Sequence, residues 1–294
     1  MARPLRIEFE GAVYHVTARG DRHEFIIKDD EDRCALLNVV AEAMLRFDAE
    51  VLAYCLMDNH CHLVIHTRCA NLSLLMRRVN GIYTRVFNQR HGLVGHVFQG
   101  RFKSIHVDRD AYLMALCRYV ELNPVRASMS THAADWPWSS YRAHIEVEAA
   151  PEWLDTNGLH EYLLGHEVRH AADRQMAIQC YEELVADGAG VRLWDDALRQ
   201  RTYLGDDAFI QRLQDRVSAQ RLKCSEIPIA HRKCKKTLAE WLTASASRED
   251  AMRLAYVEGG WTMSAIAKQF QLSISRVSRL IKKSERRQEA RPGT

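Results

Sequence analysis

From Ala12 to Leu122 the chain switches repeatedly between two rhythms of apolar residues, one of period two and one near 3.6. AVYHVTARG (Ala12 to Gly20) is β-rich and ends on a breaker, which predicts a strand. After Asp29-Asp30 a helical pattern runs to about Phe47, with Leu36, Leu37, Val40 and Met44 on one side. EVLAYCLM and HCHLVIHT predict two more strands, joined by a tight turn at Asp58-Asn59. Asn71 to Arg90 predicts a long amphipathic helix. Leu72, Leu75, Met76, Val79, Tyr83 and Val86 form its apolar stripe, and Arg78 and Arg85 share the opposite face. FKSIHV (Phe102 to Val107) predicts a fourth strand, and Asp110 a cap for a last helix over Ala111 to Leu122. The order β-α-β-β-α-β plus a helix predicts an α+β fold: a ferredoxin-like split βαβ, with an antiparallel sheet and helices on one face.

This domain is expected to fill residues 1–150, closing with the Trp-rich stretch DWPWSSYRAH between Asp135 and His144. Residues 151–243 read as a helical connecting region with no evident chemistry, so the part of the chain beyond 150 is expected to be all-α. Residues 244–288 read as helix, Gly-Gly stop, helix, short turn, helix, and 289–294 as a disordered tail. Met263, Ile266, Ala267 and Phe270 give the middle helix its buried stripe, and Val277, Leu280 and Ile281 bury the last. Gln271-Leu272-Ser273 has the length of a turn, with Ser273 placed to cap. That is a helix-turn-helix pattern, whose second helix enters the major groove; Ser275, Arg276, Arg279 and Lys282 then point outward as DNA contacts. A plain helical hairpin with a basic outer face has the same pattern.

A net charge of +3 decides little, but its distribution is uneven. Arg68, Arg77, Arg78, Arg85, Arg90, Arg101, Lys103 and Arg109 face a single acid, Asp108, in their stretch of sequence. A second basic run extends from Arg276 to Arg291. Two such segments suggest two surfaces for a polyanion, although solvated helix faces read the same way. No run of about 18 apolar residues and no secretory leader is present, so the chain is expected in the cytoplasm, without membrane contact. The eight cysteines show no CxxC pair and are expected to be reduced and packed. Cys61 and Cys69 lie near His60, His62 and His66, but without the paired spacing of a structural zinc site.

Two stretches carry candidate chemistry. In a strand His60, His62, Val64 and His66 share one face, while Cys61, Leu63 and Ile65 look the other way. Imidazoles two residues apart can converge on one cation, or can simply form a hydrogen-bonded pair. In LCRYVELNPVRA the stripe Leu113, Leu116, Cys117, Val120 is buried, and Tyr119 lies well off it. Asn123 follows one turn later on the same side, with Pro124 disfavouring further helix. A phenol and a carboxamide thus leave one helical edge. A tyrosine can attack phosphorus if positive charge draws electrons from the phosphate.

The segments YHVTARG, MDNHCHLVI, HVFQGRFKS, CRYVELNPVRA and WPWSSYRAH, in that order, resemble the single-tyrosine HUH transposases, specifically the REP-associated tyrosine transposases of bacteria. The resemblance implies that His60 and His62, with Asn123 as third ligand, hold Mg²⁺ or Mn²⁺. It implies that Tyr119 attacks a single-stranded DNA phosphate and stays linked to the 5′ end, near palindromic hairpins. A nucleoid-associated location and a monomer or homodimer follow from the same likeness. Arg19, Arg78, Arg85, Arg101 and Lys103 are candidate phosphate contacts, Phe102 a base-stacking ring, and His15 a neighbour of the site. This chain departs from the family in having Cys61 between the histidines, where a larger apolar residue is usual, and in its long C-terminal extension. A catalytically retired scaffold that only binds DNA is the alternative. An RNA-recognition module is disfavoured, because histidines stand where it would carry aromatics.

Overall fold

The computed structural model describes residues 8–188, 198–199, 203–206, 208–213, 238–243, 245, 247–257, 261, 263–273, 276–277, 279–281 and 283–284. Four strands and two long helices come in the expected order: β1 Ala12–Arg19, α1 Asp30–Phe47, β2 Ala49–Met57, β3 His60–Thr67, α2 Leu72–His91 and β4 Lys103–Val107. Local signals set the ends of α1. The Asp29 side chain accepts from Asp32 N at its start, three acids fill its first turn, and Asp48 closes it with a left-handed φ of 51°. Such an N-cap contributes about 1 kcal/mol.

β1 lies between β3 and β4, and β2 pairs outside β3, all antiparallel, giving the order β2-β3-β1-β4. This is the split βαβ arrangement. One face of the sheet offers Ala12, Tyr14, Val16, Ala18, Cys61, Leu63 and Ile65 to α1 and α2. The other offers Val13, Leu52, Ala53, Cys55, Met57 and Val64 to α3, Arg109–Glu121. Helices therefore cover both faces, not one. The physical reason is that nearly every residue of β2 and β3 is buried, on alternating sides, so neither face can be left to water. The cap of α3 is Asp108, two residues before the Asp110 expected from sequence.

The first unit extends past residue 150, to Asp215. After α4, Asn123–Arg126, the Trp-rich stretch runs along the free edge of β2. Leu56 N donates to Trp138 O, Ser140 N to Tyr54 O, and Trp136 Nε1 to Leu56 O. Among the described residues, further helical segments follow in order: α5 Tyr141–His144, α6 Thr156–Leu164, α7 Ala171–Ala186, and residues 208–213. Leu159 of α6 and Tyr181 and Val185 of α7 join the core beneath α3. The described residues 198–199 and 203–204 are strand rather than helix. β5 Leu198–Arg199 and β6 Tyr203–Leu204 extend the sheet, β6 pairing parallel with β4. Edge strands invite pairing with other chains. Here both sides of the four-stranded core are covered.

The second unit, Arg216–Thr294, has its own apolar cluster, built from Trp241, Met252, Ile266, Phe270, Val277 and Ile281. These residues come from helices Leu238–Thr243, Arg248–Val257 and Met263–Phe270 and from helical residues 276–277 and 279–281. Gln271 turns the chain with a φ of 53°, and Ser273 Oγ accepts from Arg276 N at 3.2 Å. Arg276 and Arg279 are exposed; Ser275, Lys282 and the tail 289–294 lie outside the described residues. No described helix is long and apolar enough to cross a membrane.

Candidate active site

The site begins with the β2–β3 hairpin. Its two-residue turn is pinned from behind: Ile26 N and Ile27 N both donate to Asp58 O, and Arg33 holds the Asp58 carboxylate at 2.6 Å. The hairpin tip is thereby fixed, and strand alternation carries His60 and His62 to the α3 face. Residues directly opposite across a ladder share a face. The register therefore forms three rows on that face: Met57–His60–Arg19, Cys55–His62–Thr17–Lys103 and Ala53–Val64–His15–Ile105. Cys61 points into the α1–α2 core, and burial pushes its thiol up to about 12, so it packs as a small apolar residue there. It cannot join the histidines around a zinc ion.

Each histidine has one ring nitrogen already engaged. His60 Nδ1 donates to Asn59 Oδ1 at 2.6 Å. His62 Nδ1 lies 2.8 Å from His15 Nε2 and 3.5 Å from Thr17 Oγ1. With Nδ1 committed on both rings, Nε2 is the nitrogen left to bind a cation. The two rings are 4.9 Å apart and nearly perpendicular. Burial keeps them neutral. It lowers His60 to about 4, helped by Arg19, and His15 to about 3. It lowers His62 as well, with His15, His60 and Arg19 adding to the effect. Neutral imidazole is the form that ligates a metal.

α3 brings the phenol. Its buried stripe of Leu113, Leu116, Cys117 and Val120 packs on the sheet, leaving Tyr119 half-buried at the margin. The Tyr119 ring stands edge-on to His15 and His62, with centroids 6.2 Å away in each case. Asn123 opens α4. Its Nδ2 donates to Tyr119 O and Val120 O, which leaves the amide oxygen as the remaining donor atom. Among the described residues no group of three or more His, Cys, Asp or Glu forms a metal cage. Two imidazole nitrogens and one carboxamide oxygen are instead a set that suits Mg²⁺ or Mn²⁺ when a substrate supplies further oxygens.

A buried carboxyl locks α3 in place. Glu121, wholly buried, accepts hydrogen bonds from Ser140 Oγ and Tyr181 OH, and Ser140 Oγ also accepts from Tyr54 N. The tyrosine helix is thus tied to β2 and α7 through polar contacts within the core. Burial raises Glu121 to about 8, the two hydrogen bonds partly opposing it.

The other sequence-derived candidates divide. Arg19 and Lys103 are exposed on the histidine face. Arg101 is exposed just before β4. Arg78 and Arg85 lie on α2, against the opposite face of the sheet, where Arg78 comes within 3.9 Å of Glu42. They do not converge on the histidines. Phe102 is in the core at 6% exposure and cannot stack on a base, because it falls on the inward side of the alternation leading into β4. Sequence reasoning missed Arg126. Its guanidinium lies 4.6 Å over the Tyr119 ring and donates to Tyr119 O at 2.7 Å. The spacing of seven residues, two helical turns, was the available signal.

Residues 9–123 match the family model described as "Transposase IS200 like". No curated protein sequence matches the chain. A solved structure described as "Structure of the REP associates tyrosine transposase bound to a REP hairpin" is similar at 17% identity and a TM-score of 0.43, over 51% of this chain and 89% of that one.

Proposed function

We propose, from the match of residues 9–123 to the IS200-like transposase model, that this protein is a DNA transposase that cuts and rejoins single-stranded DNA near hairpins. What carries the reading is the meeting of His60, His62 and the Tyr119 ring on one face of the sheet.

In this reading Tyr119 Oη attacks a backbone phosphorus. The bond from phosphorus to the 3′ oxygen breaks, and that oxygen leaves with a proton as a free 3′-OH. The protein stays joined to the 5′ phosphate. The new phosphotyrosine keeps roughly the energy of the broken diester, so a 3′-OH can reverse the step without ATP. A divalent ion held by His60, His62 and Asn123 would offset the charge developing on the phosphate. Asn59 and His15 hold the two imidazoles in the required tautomer. Arg19 and Lys103 supply positive charge along the approach. The second unit, read as a helix-turn-helix, would bind duplex or hairpin DNA through Arg276 and Arg279, with Ser275 and Lys282 as further contacts.

The test is covalent trapping. Wild-type protein with Mg²⁺ or Mn²⁺ should become attached to hairpin-bearing single strands taken from around its gene. Tyr119→Phe should bind the same DNA and never attach. Attachment by Tyr119→Phe would remove the assigned nucleophile. Binding without attachment by the wild type would favour the DNA-binding scaffold.

A further inference from the structure

A cleft of about 520 Å³ lies between the residues that follow β1 and the end of α2 with its loop. A volume of that order suits a small-molecule-sized group. Its lining mixes exposed apolar and basic side chains: Phe25 is 62% exposed and Val94 97%, beside His23, Lys28 and His96. Glu24 is the only acid among its described lining residues. Exposed apolar groups gathered with a lysine and two imidazoles suggest a binding surface.

Polar contacts through His23 link the cleft wall to the candidate active site. Asn59 accepts from His60 Nδ1 through Oδ1 and donates through Nδ2 to the His23 carbonyl at 3.4 Å. Arg19, opposite His60 in the ladder, has Nη1 3.3 Å from His23 Nδ1. One carboxamide thus joins the metal-ligand candidate to the cleft wall. That wall is held in an unfavourable backbone: Arg22 and His23 are consecutive non-glycine residues with φ of 50° and 65°. Side-chain-bearing residues persist there when the surroundings over-determine them, often at ligand clamps.

We infer that this cleft receives an unpaired base of the strand whose phosphate is cut at Tyr119, an inference that rests on the function proposed above. A flat aromatic base would stack on Phe25, and the flanking phosphates would meet Arg19 and Lys28. Stacking accepts any base, but a base paired inside a duplex cannot enter. The cleft therefore selects single strand over duplex next to the cut.

The test uses the full chain and oligothymidylate carrying 5-iododeoxyuridine. Irradiation should cross-link the cleft, with adducts on Phe25, His23 or His96. Phe25→Ala should weaken oligothymidylate binding about tenfold, the loss expected for one stacked base, and Phe25→Trp should restore it. Phe25 is mostly exposed, so circular dichroism should show both variants folded. Unchanged affinity in Phe25→Ala with adducts elsewhere overturns the inference. So does a dimer that Phe25→Ala dissociates without loss of DNA affinity, which would make the cleft a contact between copies. Wild-type attachment combined with unchanged Phe25→Ala affinity overturns the cleft alone. Cleft adducts without any attachment by the wild type overturn the chemistry and not the cleft.

Discussion

His15 Nε2 lies 2.8 Å from His62 Nδ1, with the two rings stacked 5.1 Å apart. One histidine thereby sets which nitrogen the other presents. His15→Phe keeps the ring and the burial but removes the acceptor. Mn²⁺ affinity should fall about 10–100-fold, as when an outer partner of a ligating histidine is lost. Isothermal titration with Mn²⁺ measures it, and unchanged affinity would show that Thr17 orients His62 instead.

Stability should vary with pH in two opposed ways. His15, His60, His62, His144 and His160 all have folded values lowered by burial, His15 and His144 to about 3. Below the ordinary value of 6.5 the unfolded chain takes up protons that the fold refuses. Their contribution is complete above about pH 7 and is lost as pH falls toward 3. Glu121 has a raised value of about 8 against an ordinary 4.5. Between those limits the unfolded carboxyl gives up its proton while the folded one keeps it, so stability declines as pH rises. Each unfolded imidazole is still half protonated at 6.5, so the five groups outweigh the one until about pH 7, above which Glu121 dominates among these six. Urea denaturation should therefore show a maximum near pH 7 and a shallow decline to about 8. Glu121→Gln should flatten that decline; a decline that persists in the variant would place its origin elsewhere.

Phe102→Ala discriminates between core and DNA contact. A buried phenyl ring lost from a core costs about 3–5 kcal/mol. A large fall in the urea midpoint is expected, with any loss of DNA affinity no greater than the loss of folded protein. Weakened binding in a fully stable variant would return Phe102 to the DNA surface.

Charge reversal should separate the two units. In the full chain, Arg276→Glu with Arg279→Glu should weaken duplex and hairpin binding and reduce its salt dependence. Covalent attachment to a saturating, unstructured single strand should proceed at the wild-type rate. Equal duplex affinity in the double variant would leave the last helix without a role in DNA contact.

The sheet and its two crossover helices were legible because their residues alternate or recur at periods that local geometry imposes. The histidine pair was legible for the same reason, since i and i+2 must share a face. The docking side of α3 was not: a buried stripe says that a helix is covered and not by what. Glu121 was hidden more deeply, because its partners Ser140 and Tyr181 lie 19 and 60 residues away. Phe102 misled because its face depends on the phase of β4, a strand of only five residues. His23 and Asn59 gave no signal of linkage until the loop after β1 was seen against the hairpin turn.

The late segments of the first unit also bear on how the protein is made. Tyr181 and Val185 complete the packing under α3, and Tyr203–Leu204 seals the side of β4. A nascent chain halted near residue 150 would expose one bare strand margin and leave the helix that carries Tyr119 half-supported. Ribosomal emergence of another sixty or so residues is then what turns a sticky intermediate into a sheet with both margins sealed and α3 fully underpinned.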